Sequence, residues 1–117
     1  MHELSIVQSV VTSVTDWLNE RPPVKVHTVT LCVGALSGVV EGALQFGYEI
    51  ATQGTPLAGS KLEVREQPVV IYCATCKEQV ELAGVQSFRC PRCGTPSADI
   101  RKGRELEIES LEIDESQ

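Results

Sequence analysis

The chain has 117 residues, 42% of them hydrophobic, with 16 acidic against 10 basic side chains and a formal net charge of −6. That length supports about one ordinary domain, so a second lobe needs a staple of its own. The negative balance repels phosphate backbones and anionic membrane surfaces, which argues against a nucleic-acid or membrane partner. No apolar stretch approaches the roughly 20 residues of a spanning helix. Met1-His2-Glu3 also lacks the basic flank of a signal peptide, and a cytoplasmic protein is expected.

Val7, Val10, Val11, Val14, Trp17 and Leu18 recur at three- and four-residue steps and predict an amphipathic helix over Leu4 to Leu18, ended by Arg21-Pro22-Pro23. Val29, Leu31 and Val33 then alternate with polar residues as a half-buried strand, with Val24 and Val26 in the opposite phase. A second helix is expected from an N-cap at Ser37, through Val40, Ala43, Leu44, Phe46 and Ile50, to a stop at Gly54. Gly42 and Gly47 each cost it about 1 kcal/mol relative to alanine, so close packing is expected there. Lys61 to Glu66 and Glu105 to Glu109 alternate as two further strands. The expected architecture is α+β: two helices packed on a three-stranded sheet, formed by residues 1–67 plus 104–117, with residues 68–103 as an inserted four-cysteine zinc-ribbon lobe.

Four of the five cysteines form the pairs Cys73-Ala-Thr-Cys76 and Cys90-Pro-Arg-Cys93-Gly94, with 13 residues between them. This spacing fits two tight turns that aim four thiolates at one tetrahedral ion. Disulfides, a redox pair and a rubredoxin-like iron centre are the rivals; structural Zn(II) is the preferred reading. Four thiolates leave no open coordination position, so the site does not read as catalytic. Apparent zinc-binding energies of roughly 10 to 16 kcal/mol in finger peptides indicate how a metal would fold so small a lobe. Cys32, in mid-strand, reads as a small buried side chain.

Only two histidines occur, His2 and His27. A histidine at position two allows the α-amine of Met1, the His2 backbone nitrogen and the imidazole Nδ1 to close two adjacent chelate rings. Glu3 can add its backbone nitrogen or its carboxylate. Such a nitrogen-rich set suits nickel(II) or copper(II), whereas an octahedral site would draw on the carboxylate and water. Chemistry alone favours the simpler reading of His2 and Glu3 as a solvated terminus, since short histidine motifs match often by chance. His27 reads as a rim residue. Glu105, Glu107 and Glu109 read as a solvated strand face, and Arg89, Arg92, Arg101, Lys102 and Arg104 as a solvated lobe surface.

Met1-His2-Glu3-Leu4-Ser5-Ile6, Gly54-Thr55, the two cysteine pairs and Gly103-Arg104-Glu105-Leu106 together resemble the HypA family of hydrogenase nickel-incorporation proteins, across nearly the whole chain. The resemblance implies a non-enzymatic nickel metallochaperone that delivers Ni(II) for NiFe hydrogenase maturation. Its implied partners are a HypB-type GTPase and the hydrogenase large subunit, and self-association stays open. It assigns transient Ni(II) to His2, Glu3 and the amine of Met1, and structural Zn(II) to Cys73, Cys76, Cys90 and Cys93. Where the family often has Pro-Glu, this chain has Glu41-Gly42. The competing expectation is a zinc-ribbon adaptor for a protein partner, with an inert N-terminus.

Overall fold

The computed structural model describes residues 3 to 114, in the order α1 (Glu3–Asn19), β1 (Lys25–Gly34), α2 (Glu41–Ala51), β2 (Lys61–Gln67), β3 (Val70–Cys73), β4 (Glu78–Glu81), β5 (Ile100–Lys102) and β6 (Leu106–Asp114). The strands form two three-stranded sheets, ordered β2-β1-β6 and β4-β3-β5. The α+β expectation holds, with Cys73 at the end of β3 in the second sheet and the other three paired cysteines in turns. Two compact units emerge: one comprises the chain up to Leu31, Val39–Val64 and the chain from Ile108 on; the other comprises Cys32–Gly38 and Arg65–Glu107.

In the first unit the valine stripe of α1 is buried at Val7, Val10, Val11, Val14 and Leu18, as its helical spacing requires. The helix ends as expected before Pro22-Pro23. Arg21 donates to the Trp17 carbonyl at 2.7 Å and lies 3.9 Å from the centre of the Trp17 ring. The stripe shares a core with Val26, Val29 and Leu31 of β1, Leu44 and Tyr48 of α2, Leu57, and Leu62 of β2.

α2 differs from its sequence reading at both ends. Ser37 does not cap it: Gly38 takes φ +74° and Val40, in extended conformation, is the N-cap residue and offers no side-chain cap. β-Branched Val39 and Val40 resist helical geometry, which delays the start by several residues. The helix stops at Ala51, where Thr52 turns its amide and its hydroxyl back onto the Tyr48 carbonyl, at 3.0 and 2.8 Å. The two helical glycines also diverge. Gly47 is buried, and a Cβ there would lie 3.7 Å from Leu4 and Val7 of α1; around Gly42 there is open space. Close helix packing therefore explains Gly47 and not Gly42.

In the second unit β3 pairs antiparallel with β4 (Ile71 opposite Val80, Cys73 opposite Glu78) and with β5. Val69, Ile71, Val80 and Leu82 join Cys73 and Cys90 in a small core, with Leu36, Phe88 and Ile100 packed against it. The lobe thus has more apolar substance than its sequence advertises. Leu36 arrives from the Cys32–Gly38 segment, which is knitted in by backbone bonds: Gly34 donates to the Glu105 carbonyl, Ala35 to that of Gln67 and Leu36 to that of Gly103. Gly34 is indispensable to this crossing, because a Cβ there would sit 2.2 Å from the Gly103 carbonyl carbon and oxygen.

Candidate metal sites

Cys73 ends β3 and Cys76 closes the turn into β4, while Cys90 and Cys93 form a second turn between Arg89 and Pro96, themselves bridged as an isolated antiparallel pair. The two turns are built alike. Each second cysteine is followed by a residue in the left-handed region, Lys77 at φ +56° and Gly94 at φ +76°. In the first turn the Cys76 amide donates to Cys73 Sγ at 3.4 Å; in the second the Gly94 amide donates to the Cys90 carbonyl at 2.8 Å. Thr75 and Thr95 bring their hydroxyls to 3.3 Å from one another across the two turns.

This arrangement brings all four expected sulfurs together, each within 4.8 Å of the others. Two of the pairs that cross between turns lie at 3.6 Å (Cys73 to Cys93) and 3.9 Å (Cys76 to Cys90). A tetrahedron with zinc–sulfur bonds of ~2.3 Å has edges of about 3.8 Å. The donor set therefore fits a four-thiolate zinc ion, and these separations are far beyond a disulfide bond. Cys73 and Cys90 are buried, Cys76 is half-buried and Cys93 faces solvent. Four thiols this close cannot ionise alike. Hydrogen bonding from Thr95, whose hydroxyl lies 3.2 Å from Cys93 Sγ, brings the Cys93 thiol down to about 6, whereas hydrogen bonding to Cys93 pushes Cys76 up to about 12. A bound dication would hold all four as thiolates. Thr95 was not singled out from sequence, since a threonine after the knuckle glycine has no spacing signal of its own.

Of the three residues expected at the N-terminal nickel site, Met1 and His2 lie outside the described residues. Glu3 opens α1, so its amide nitrogen has no acceptor within the helix. Its carboxylate accepts the backbone N–H of Val40 at 3.0 Å, which places an anion at the N-terminus of α2. The other flagged residues fall to structural roles. His27 Nε2 stands 3.7 Å from an Asp114 carboxylate oxygen, and buried Cys32 accepts a hydrogen bond from Arg65. Arg92 pairs with Glu78, Arg89 donates to the Gly94 carbonyl, and Arg101 clasps Asp99 with two hydrogen bonds while lying 4.8 Å from the Tyr72 ring centre. Much of the basic group thus braces its own lobe.

Residues 1–113 match a sequence family described as "Hydrogenase/urease nickel incorporation, metallochaperone, hypA". The chain is 47% identical over 112 residues to the hydrogenase maturation factor HypA of Chloroflexus aurantiacus, covering 96% of this chain and 98% of the relative. It is 35% identical to the guanidine hydrolase-activating protein A of a Synechocystis strain, over 96% of this chain and 94% of that one. The solution structure of the nickel metallochaperone HypA from Helicobacter pylori shares the fold, with a TM-score of 0.66, 20% sequence identity and 97% coverage of both chains.

Proposed function

The chain belongs to the HypA family of nickel-incorporation metallochaperones, and from that premise we propose that it binds Ni(II) at its own N-terminus and delivers it for maturation of NiFe hydrogenase. The observation that carries this reading is a family match that begins at residue 1 and runs through both the His2-Glu3 opening and the four-thiol cluster. The cargo site would use the Met1 amine, the His2 backbone and imidazole nitrogens, and a donor from Glu3. The Glu3 carboxylate is engaged by the Val40 amide in the resting protein, so drawing on it as the fourth donor would release that contact. A planar nitrogen set of this kind suits nickel.

The zinc site would be structural, with Cys73, Cys76, Cys90 and Cys93 as ligands and residues 68–103 as the lobe they hold, leaving residues 1–67 and 104–117 to serve nickel. The two metals suit opposite tasks. A closed four-thiolate cage retains its ion, whereas a chelate at a chain terminus is open to invasion by another protein's ligands, one donor at a time. No bond of a substrate is made or broken, so the protein is read as a carrier and not an enzyme. The proposed partners are a HypB-type GTPase and the nickel-free hydrogenase large subunit, in the cytoplasm; no described helix is long and apolar enough to cross a membrane.

Complementation tests this reading. In a strain lacking its own family member, the wild-type chain restores nickel to the hydrogenase large subunit and His2→Ala, though folded and zinc-loaded, does not. Equal restoration by both would remove the N-terminal cargo site from the account.

A further inference from the structure

The four-sulfur cluster is uniform in ligand type and uneven in access. Cys73 and Cys90 are buried and Cys76 is half-buried, whereas Cys93 faces solvent. The turn that carries Cys93 is also electropositive at its rim: Arg92 precedes it in sequence and stands exposed, and the Arg89 guanidinium donates to the Gly94 carbonyl at 3.2 Å. Exposure in electropositive surroundings is the setting in which reactive sulfur is found. Four thiolates around one dication leave two negative charges in excess, so the sulfurs stay electron-rich with zinc in place. Zinc shields them relative to the free cluster, and that shield is thinnest at Cys93.

Cys93 also has a sulfur beside it to receive what oxidation makes. Its Sγ lies 3.6 Å from that of buried Cys73, on the other turn. A contraction of about 1.5 Å would bring the two to the ~2.05 Å of a disulfide. Neither turn need unwind for this, because Cys73 stays paired opposite Glu78 and the second turn stays closed by the Gly94 amide and the Arg89–Pro96 bridge. The lobe also keeps something to fold on: Val69, Ile71, Val80 and Leu82 pack on one another without passing through the ion. Resting on the zinc reading of the cluster, we infer that the lobe is a peroxide-sensitive zinc switch, in which Cys93 is the first sulfur oxidised and Cys73 the one that resolves it. The Cys93 thiolate attacks hydrogen peroxide; an S–O bond forms as the O–O bond breaks, leaving a sulfenic acid and hydroxide. The Cys73 thiolate then attacks the Cys93 sulfur, and the S–S bond forms as a second hydroxide departs. Two thiolates have given up two electrons and the peroxide has taken both. Cys76 and Cys90 remain as thiolates, too few to close a tetrahedral site, and zinc leaves. A dithiol reductant reverses the step by exchange.

The test uses the zinc-loaded wild-type chain, freed of reductant and titrated with hydrogen peroxide. Three signals are followed: zinc released to a chromogenic chelator, the cysteine that is tagged when dimedone is present to trap sulfenic acid, and the disulfide-linked peptides found by mass spectrometry without reduction. The expected result is loss of the zinc, with the dimedone adduct on Cys93 and, in its absence, a peptide pair joined through Cys73 and Cys93. Dithiothreitol with added zinc should then restore the metal and remove the link. Zinc retained after a free-cysteine standard in the same solution has been fully oxidised would overturn the inference. So would a first adduct on Cys73, Cys76 or Cys90, or a disulfide formed inside either Cys-x-x-Cys pair. A wild-type chain that purifies folded and will not take up zinc would instead count against the zinc reading, so the two failures are distinguishable.

Discussion

The carboxylate of Glu3 accepts the backbone N–H of Val40 at 3.0 Å, across 37 residues of sequence. α2 begins after an N-cap residue that has no capping side chain, and the first turn of α1 supplies the missing acceptor. Glu3 thus belongs at once to the cargo terminus and to the start of the helix that presents Phe46 and Ile50. The proposed nickel terminus and the exposed face of α2 are neighbours because one carboxylate ties their elements together.

Removing that acceptor should be measurable as lost stability. Glu3→Ala is expected to cost about 1 kcal/mol, the usual worth of a helix cap, while Glu3→Gln, which keeps a carbonyl acceptor and loses the charge, should cost less than half as much. Urea unfolding followed by helical circular dichroism checks this. Equal destabilisation by both variants would mean that charge, not hydrogen bonding, is what Glu3 contributes.

Two glycines should respond oppositely to alanine. At Gly34 the added Cβ would meet the Gly103 carbonyl at 2.2 Å and the Arg104 nitrogen at 2.5 Å, so backbone must move, and a loss of about 2 kcal/mol or more is expected. At Gly42 there is nothing within 4 Å, and alanine should add up to about 1 kcal/mol through helix propensity. Melting temperatures of the two variants, compared with wild type, decide the matter.

The thiol cluster predicts an order of reactivity in metal-free protein. Because the hydrogen bond from Thr95 favours the ionised form, Cys93 should become nucleophilic as pH rises through about 6, well below an ordinary thiol, and it is also the exposed member. Cys76, held up near 12, should be the last to ionise. Alkylation mapped by mass spectrometry between pH 5 and pH 9 should therefore label Cys93 first, and Thr95→Val should move its midpoint upward. Zinc should protect all four cysteines, with protection failing in acid as protons compete for sulfur.

Elements defined by local pattern were legible in the sequence: the valine stripe became α1, the alternating valines and leucine of β1 a half-buried strand, and the paired cysteines one tetrahedral cluster. What escaped were features made by distant residues. Ser37 looked like a helix cap because capping is normally local, whereas the acceptor at α2 comes from Glu3. β5, the three residues Ile100–Lys102, is too short to show a period and exists because β3 offers it an edge. Leu36 carries no signal that it packs beside Ile71 and Val80. The exposure of Phe46 and Ile50 was equally hidden, since both occupy positions that a helical pattern assigns to a core.

The central claim is that nickel is held by the chain terminus, and the most direct measurement is calorimetric Ni(II) titration of untagged, zinc-loaded protein beside His2→Ala and a version acetylated at the Met1 amine. Acetylation removes the α-amine as a donor while leaving His2, Glu3 and the fold in place. The account predicts one Ni(II) site in the wild type and its loss in both variants, with helical content and zinc retained. Undiminished Ni(II) binding in the acetylated protein would contradict the terminal chelate and leave the zinc-ribbon adaptor as the better description.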